Sequence, residues 1–389
     1  MSSTPLSSDK HYILHIGRHK SGTSALQHFL HSNSEKLAQA GYAYPKTGRG
    51  KKVAHHQLAG ALKGRSTGKE ATHWDQVIAD LKAGISLEAS EASIHSVIIS
   101  SEALQDVPPT ILASVFPTEN TTVIVYLREQ VEYLITTYQQ RVHATGLSLS
   151  LEQFASQAKV ANYARYLERL ESTFGKANLR VGIYDRDQLK DRDMVSDFLS
   201  KAEIREIPLN STIEANSSIG GELLELKRVS NILRGGIPAH KKEYVAFNAA
   251  AQTRKNFSGR VPMPADLAQK WREQAANSNQ RLAKEWFDRD QAFRFRVALP
   301  GEFFPPLQEE LLLEAMHKVT SRVPEWGAQF VERLAAHHTW VSSKNQTIAN
   351  GLITGDLSVD EKHWLMTGIR SAPERLSPTW QWNFPWSPT

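Results

Sequence analysis

The sequence predicts an α/β protein: a three-layer sandwich with a central parallel sheet, followed by a helical C-terminal section. Three observations predict it. Short runs at 12–16 (YILHI), 97–100 (VIIS), 123–127 (VIVYL) and 179–184 (LRVGIY) are apolar with little alternation, as strands buried on both faces are. Helical patterns separate them, which is the βαβ arrangement. The first run leads directly into a glycine-containing loop and a helix start at 17–24.

In chain order, residues 1–10 are polar and Ser-rich and read as a frayed tail. After the first strand, Ala25, Leu26, Phe29, Leu30 and Leu37 repeat at helical spacing. Residues 43–68, rich in Lys, Gly and His, read as a loop with a short helix. Residues 75–84 open with Asp75 and close on Gly84, the usual start and stop signals of a helix. Residues 151–170 are helical around Phe154, Tyr163, Tyr166 and Leu167, and 194–199 form another helix. Beyond 205 the strand signals fade. Residues 222–233, 267–287, 307–319 and 325–336 are helical, and 235–264 are irregular. A Pro/Trp-rich tail (373–389) carries Trp380, Trp382 and Trp386 and is expected to pack on the core. The organisation expected is an α/β domain over 11–298 and a helical extension over 299–389, with no internal repeat.

Composition narrows the function. Apolar residues make up 40% of the 389 and charged residues 22%, as in an ordinary globular chain. No apolar run approaches the roughly 20 residues that cross a bilayer. The N-terminus has no apolar h-region, so no secretory signal and a cytoplasmic location are expected. There is no cysteine, which excludes disulfides, thiol catalysis and thiolate metal sites. A net charge of +5 suits an anionic ligand. Without a Lys/Arg run or an aromatic-interleaved basic patch, a nucleic-acid partner is not expected.

The chemistry concentrates in residues 15–24, HIGRHKSGTS. A strand, a glycine loop and a helix N-terminus hold phosphate because backbone N–H groups converge on the anion and the helix dipole favours it. Lys20 adds a full charge, and Ser21, Thr23 and Ser24 add hydroxyls. The nucleoside triphosphate loop G-x-x-x-x-G-K-[ST] has its lysine after the second glycine. Here Gly17 and Gly22 keep the spacing, but Thr23 occupies that place and the lysine lies two residues before Gly22. The competing reading is an ordinary loop whose hydroxyls cap a helix.

Ligands of open parallel sheets bind at the carboxyl ends of the strands, so the loops after Ile16, Ile99 and Leu127 are expected to meet. Arg128 ends the third run, where a guanidinium can bond a phosphate in pairs; otherwise it pairs with Glu129 or Glu132. The second run ends Ser100-Ser101-Glu102. Glu102 is either a proton acceptor or a first-turn acid favoured by the helix dipole. His55 and His56 are rival bases because imidazole titrates near neutrality. No third ligand follows them at metal spacing, so no metal is expected.

The loop K-S-G-T-S at 20–24, within H-I-G-x-x-K-S-G, resembles the 5′-phosphosulfate loop of sulfotransferases that use 3′-phosphoadenosine 5′-phosphosulfate (PAPS). The resemblance spans about 11–295 and implies a P-loop-like sulfotransferase fold. It implies that Arg18, Lys20, Ser21, Gly22, Thr23 and Ser24 hold the phosphosulfate. It also implies that Arg128, with Thr136 eight residues on, holds the 3′-phosphate, and that Tyr184 borders the adenine. Glu102, His55 or His56 would deprotonate an acceptor hydroxyl or amine, with a glycan first among the candidates. The pattern departs from the family where Glu129-Gln130-Val131 follows the arginine without the frequent proline. Two alternatives stay open: a P-loop small-molecule kinase, and a nucleotide binder of the same fold that transfers nothing.

Overall fold

In the computed structural model, which describes residues 5–204, 218–295, 308–337 and 345–375, the chain opens with strand β1 (His11–His15). It continues through α1 (Thr23–Ser32), α2 (Ser34–Gln39), β2 (Tyr42–Ala43), α3 (His56–Ser66), α4 (Ala71–Glu88), β3 (Ser96–Ser100), α5 (Pro109–Ala113) and β4 (Thr121–Leu127). Next come α6 (Gln130–Ala144), α7 (Leu151–Gln157), α8 (Tyr163–Phe174), β5 (Leu179–Ile183) and α9 (Met194–Lys201). The later helices are α10 (Gly221–Leu233), α11 (Lys241–Ala251), α12 (Ala265–Phe287), α13 (Glu309–Thr320), α14 (Pro324–His337), α15 (Asn345–Thr354) and α16 (Val359–Arg375).

The chain divides into two compact units. The first comprises Met1–Glu129, Ala161–Ala215 and Ala275–Phe295 and contains the sheet, in the order β2-β3-β1-β4-β5. Every pairing is parallel, with His15 opposite Ser100 on β3 and opposite Ile124 on β4. β1 therefore lies between β3 and β4, and the chain leaves it for one side and later for the other. That reversal is the switch point where an open sheet leaves a crevice. The pleat explains why the runs are continuously apolar. Tyr12, Leu14, Val97, Ile99, Val123, Val125 and Leu127 enter the core on one face, with α3, α4 and α8. Ile13, Ile98, Ile124 and Tyr126 enter the core on the other, with Leu26, Phe29 and Leu30 of α1 and Phe198 of α9. Helices thus cover both faces, the three-layer α/β arrangement expected.

The second unit comprises Gln130–Val160, Asn216–Gln274 and Arg296–Thr389. Its described residues are helical around one core, which includes Leu134, Leu223, Leu226, Phe247, Met316, Trp326 and Ile369. The helical section is therefore not C-terminal alone: α6, α7, α10 and α11 join α13–α16, because their apolar faces share that core. The chain changes unit within α12. Inside this unit, Lys227 is fully buried and pairs with Glu243 at 2.9 Å and Asn231 at 2.8 Å.

Other expectations are corrected locally. Order begins ahead of the boundary expected at residue 11: Leu6 is buried and its N–H bonds the Val115 carbonyl. β2, two residues long, was too short to read. Gly84 is no stop signal; α4 runs through it, and a Cβ there would meet Thr47 Oγ1 at 2.7 Å. The 151–170 pattern is two helices, each with its own polar N-cap, Ser150 and Asn162. The 235–264 stretch contains α11. Trp380, Trp382 and Trp386 lie outside the described residues. Among the described residues no helix is long and apolar enough to cross a membrane.

Candidate active site

The loop after β1 stays paired to β4 beyond the strand. Tyr126 N–H donates to the Gly17 carbonyl at 2.7 Å, and Arg18 N–H donates to the Tyr126 carbonyl at 3.0 Å. The chain then turns through left-handed backbone at Lys20 (φ 63°) and Gly22 (φ 74°). For lysine this is an uncommon region, held only where the surroundings impose it. Two contacts impose it. Arg128 Nη1 donates to the Lys20 carbonyl at 2.7 Å, and Ser21 Oγ donates to the Arg18 carbonyl at 2.5 Å. Gly22 caps α1 and has to be glycine for space as well as φ: a Cβ there would lie 2.7 Å from the Tyr184 ring. Among the described residues no side chain caps α1, and its own first turn carries no acid, so its positive dipole end can receive an anion.

β3 ends beside this loop. Glu102 opens a 3₁₀ turn (Glu102–Asp106), and a Cβ on Gly17 would touch its Cα at 3.1 Å, so the two strand ends meet as closely as a glycine allows. The Glu102 carboxylate has its oxygens divided. Oε2 accepts from Gln27 Nε2 at 2.7 Å; Oε1 lies 3.7 Å from His56 Nε2 and 3.9 Å from His19 Nδ1. Burial alone would raise this carboxyl. The Gln27 amide, its own backbone N–H and the two histidines outweigh burial and hold it below the usual range. His56 Nδ1 lies 2.9 Å from Ser101 Oγ, which already accepts from Ala103 N–H. The assignment that uses every group has Ser101 donating to Nδ1 and His56 Nε2–H directed at Glu102.

Lys20 is held below its ordinary value by burial and then by the Arg128 charge, with Glu102 opposing. His19 falls to about 4, chiefly by burial. Deeper in the same turn, Asp106 is pushed up to about 6 by burial, against Lys63 at 3.5 Å and the charge of Arg18.

The structure brings together Lys20, Ser21, Gly22, Thr23, Glu102, His56, Arg128 and Tyr184. Ser24 is exposed on the first turn of α1. Ser21 is fully buried, its hydroxyl proton committed inside the loop. The Arg18 guanidinium turns to Tyr163 and Tyr166, 5.3 and 5.4 Å from the ring centroids. Tyr184 packs on Gly22, with the Arg128 guanidinium 5.5 Å from its ring centroid. His55 stands apart: it is fully buried, its Nδ1 accepts from Ser100 N–H at 3.1 Å and its Nε2 lies 3.1 Å from the Pro45 carbonyl. Both nitrogens serve the backbone, which suits a structural role and not a base. Thr136 belongs to the second unit, on α6, where its hydroxyl donates to its own helix at the Glu132 carbonyl, 2.9 Å away.

Gln27 and Ser101 were not singled out from the sequence. The available signal for Gln27 was a polar residue inside the buried stripe Leu26, Gln27, Leu30 of α1. Among the described residues no cluster of three His, Cys, Asp or Glu side chains could hold a metal ion.

No family model matches the chain, and no curated protein matches it. Among solved structures it is similar to a sulfotransferase from Alicyclobacillus acidocaldarius, with 14% identity over 59% of this chain and 94% of that one and a TM-score of 0.35.

Proposed function

We propose that the chain is a PAPS-dependent sulfotransferase acting on a hydroxyl or amine, with glycans the first acceptors to try and other small molecules or lipids after them. One observation carries the reading. An ionised carboxylate, Glu102, adjoins a loop whose lysine and uncapped helix start form an anion cradle. A proton acceptor beside an anion site is what transfer from an anionic donor to a hydroxyl requires. The displaced lysine separates this reading from the kinase alternative, since Thr23 stands where a triphosphate loop places it.

The residues fit the donor. Lys20 and the first N–H groups of α1 would hold the phosphosulfate, Arg128 would take the 3′-phosphate, and Tyr184 would wall the nucleotide. PAPS supplies the sulfuryl group. Glu102 Oε1 takes the acceptor proton as the acceptor O–H bond breaks and the new O–S bond forms. The S–O bond to the phosphate breaks in the same displacement, and its electron pair remains on the phosphate oxygen. Lys20 offsets that charge. His56, with its Nε2–H facing Glu102, orients the carboxylate and the acceptor. We place the reaction in the cytoplasm, where PAPS is made.

Thermal shift tests the reading. Adenosine 3′,5′-bisphosphate without Mg²⁺ should raise Tm, whereas ATP with Mg²⁺ should leave it nearly unchanged. The reverse result would sink it. A Tm shift with no transfer from labelled PAPS to any acceptor mixture would leave the non-catalytic binder.

A further inference from the structure

Gln27 occupies a place that packing does not explain. It lies on α1 between Leu26 and Leu30, is 3% exposed, and its amide ends on one oxygen of Glu102. A buried amide among apolar neighbours is costly unless it is bonded. Here the Nε2 donor faces a carboxylate that is itself 16% exposed and has its other oxygen toward two imidazoles. α1 is the helix that begins at the anion loop: Thr23 is its first residue, and Gln27 lies one turn on, roughly 6 Å along the axis. The buried side chains of Leu26, Phe29 and Leu30 fix that helix to the sheet. One rigid rod therefore sets both the cradle and the carboxylate.

We propose that Gln27 is a positioning residue of this site: its amide holds Glu102 Oε2, so that Oε1 is the oxygen left to the acceptor proton beside the anion loop. The inference rests on the transfer reading for what Oε1 does, but not for the hydrogen bond itself. An amide suits the task because it donates without ionising. A glutamate there would share a proton with Glu102, and a lysine would add a second charge next to Lys20. The groups that bear on the Glu102 charge are His19 and Lys20 of the loop, His15 of β1, His56 of α3 and Tyr44. Gln27 is the uncharged one that bonds it directly.

The test is the titration of Glu102 in the whole chain labelled with [δ-¹³C]glutamate, its carboxyl resonance identified by its loss in Glu102→Gln. The parent midpoint should lie below the free glutamate value of about 4.3. Gln27→Met, which keeps the volume and removes the donor, should raise it by about one unit or more. Gln27→Glu keeps a polar group and decides the matter should the methionine variant not fold: the carboxylate pair should then titrate in two steps, one of them well above the parent midpoint. An unmoved Glu102 midpoint in the folded variants would overturn the proposal. Turnover from labelled PAPS, to water or to an acceptor, is read alongside. It should fall about tenfold or more in Gln27→Met, with affinity for adenosine 3′,5′-bisphosphate unchanged. A shifted midpoint in a chain that never transfers sulfuryl would leave Gln27 holding the carboxylate and remove the transferase reading instead. A shifted midpoint with undiminished turnover would overturn the positioning role.

Discussion

Arg128 Nη1 donates to the Lys20 carbonyl at 2.7 Å, so the arginine at the end of β4 shapes the loop after β1 before any ligand arrives. Its own carbonyl accepts from the Tyr163 hydroxyl at 2.6 Å, which ties the strand end down in turn. A guanidinium carries five N–H groups in a planar fork, the geometry that suits a phosphate.

Replacing Arg128 should therefore weaken the anion site. Arg128→Met keeps the stem and loses the donors. A charge-assisted hydrogen bond is worth about 1.5–3 kcal/mol, so affinity for adenosine 3′,5′-bisphosphate should fall roughly 10- to 100-fold by calorimetry. Arg128→Lys should recover only part of it, because an ammonium cannot reproduce the planar fork. Equal affinity in Arg128→Met and the parent would remove the arginine from the anion site.

Lys20 separates backbone strain from side-chain chemistry. Its φ of 63° costs a non-glycine residue about 1–2 kcal/mol. Lys20→Gly should therefore be the more stable of two truncations, exceeding Lys20→Ala by about 1 kcal/mol in urea unfolding, less the chain entropy that glycine adds. Both should lose transfer by two orders of magnitude or more, as loss of one preorganised charge donor does. A Lys20→Ala chain that still turns over at the parent rate would sink the role given to this side chain.

The loop and the sheet were legible because both are local. A glycine pair with lysine and hydroxyls between them is a contiguous pattern, and strands buried on both faces are continuous apolar runs. The partition into units was not, because α6 and α7 follow the sheet strand β4 in sequence while sharing their core with helices from 220 onward. His55 and His56 looked alike as neighbours in sequence. One residue of separation at the start of α3 sends the first into the core and the second to Glu102, and nothing in a dipeptide encodes which. Gln27 was overlooked for the opposite reason: its partner lies 75 residues away, and only the parallel pairing of β1 with β3 brings them together.

The buried histidines predict how the fold responds to acid. His15 is fully buried beside Tyr126 and Phe198 and bonded at Nδ1 to Ser100 Oγ at 2.8 Å; among the described residues its Nε2 has no hydrogen-bond partner. Burial lowers it to about 4, against a small opposing pull from Glu102; burial, then Arg49, lowers His55 to about 3. The sign follows from proton counts. Above the unfolded value of 6.5 both states are neutral and pH has no effect through these groups. Between 6.5 and about 4 the unfolded chain takes up protons that the native chain refuses. Stability should therefore fall as pH falls through that window, with a slope of up to about 1.4 kcal/mol per pH unit for each group. Glu102, held below the usual carboxyl range, loses its contribution further into acid and in the same direction. His55→Asn keeps an acceptor for Ser100 N–H and removes one titration, so its unfolding free energy should drop less steeply between pH 6.5 and 4.5. Urea unfolding at a series of pH values in that range measures the slope. If the parent and His55→Asn curves ran parallel, His55 would have to be charged in the folded chain, and its two backbone bonds could not both stand as described.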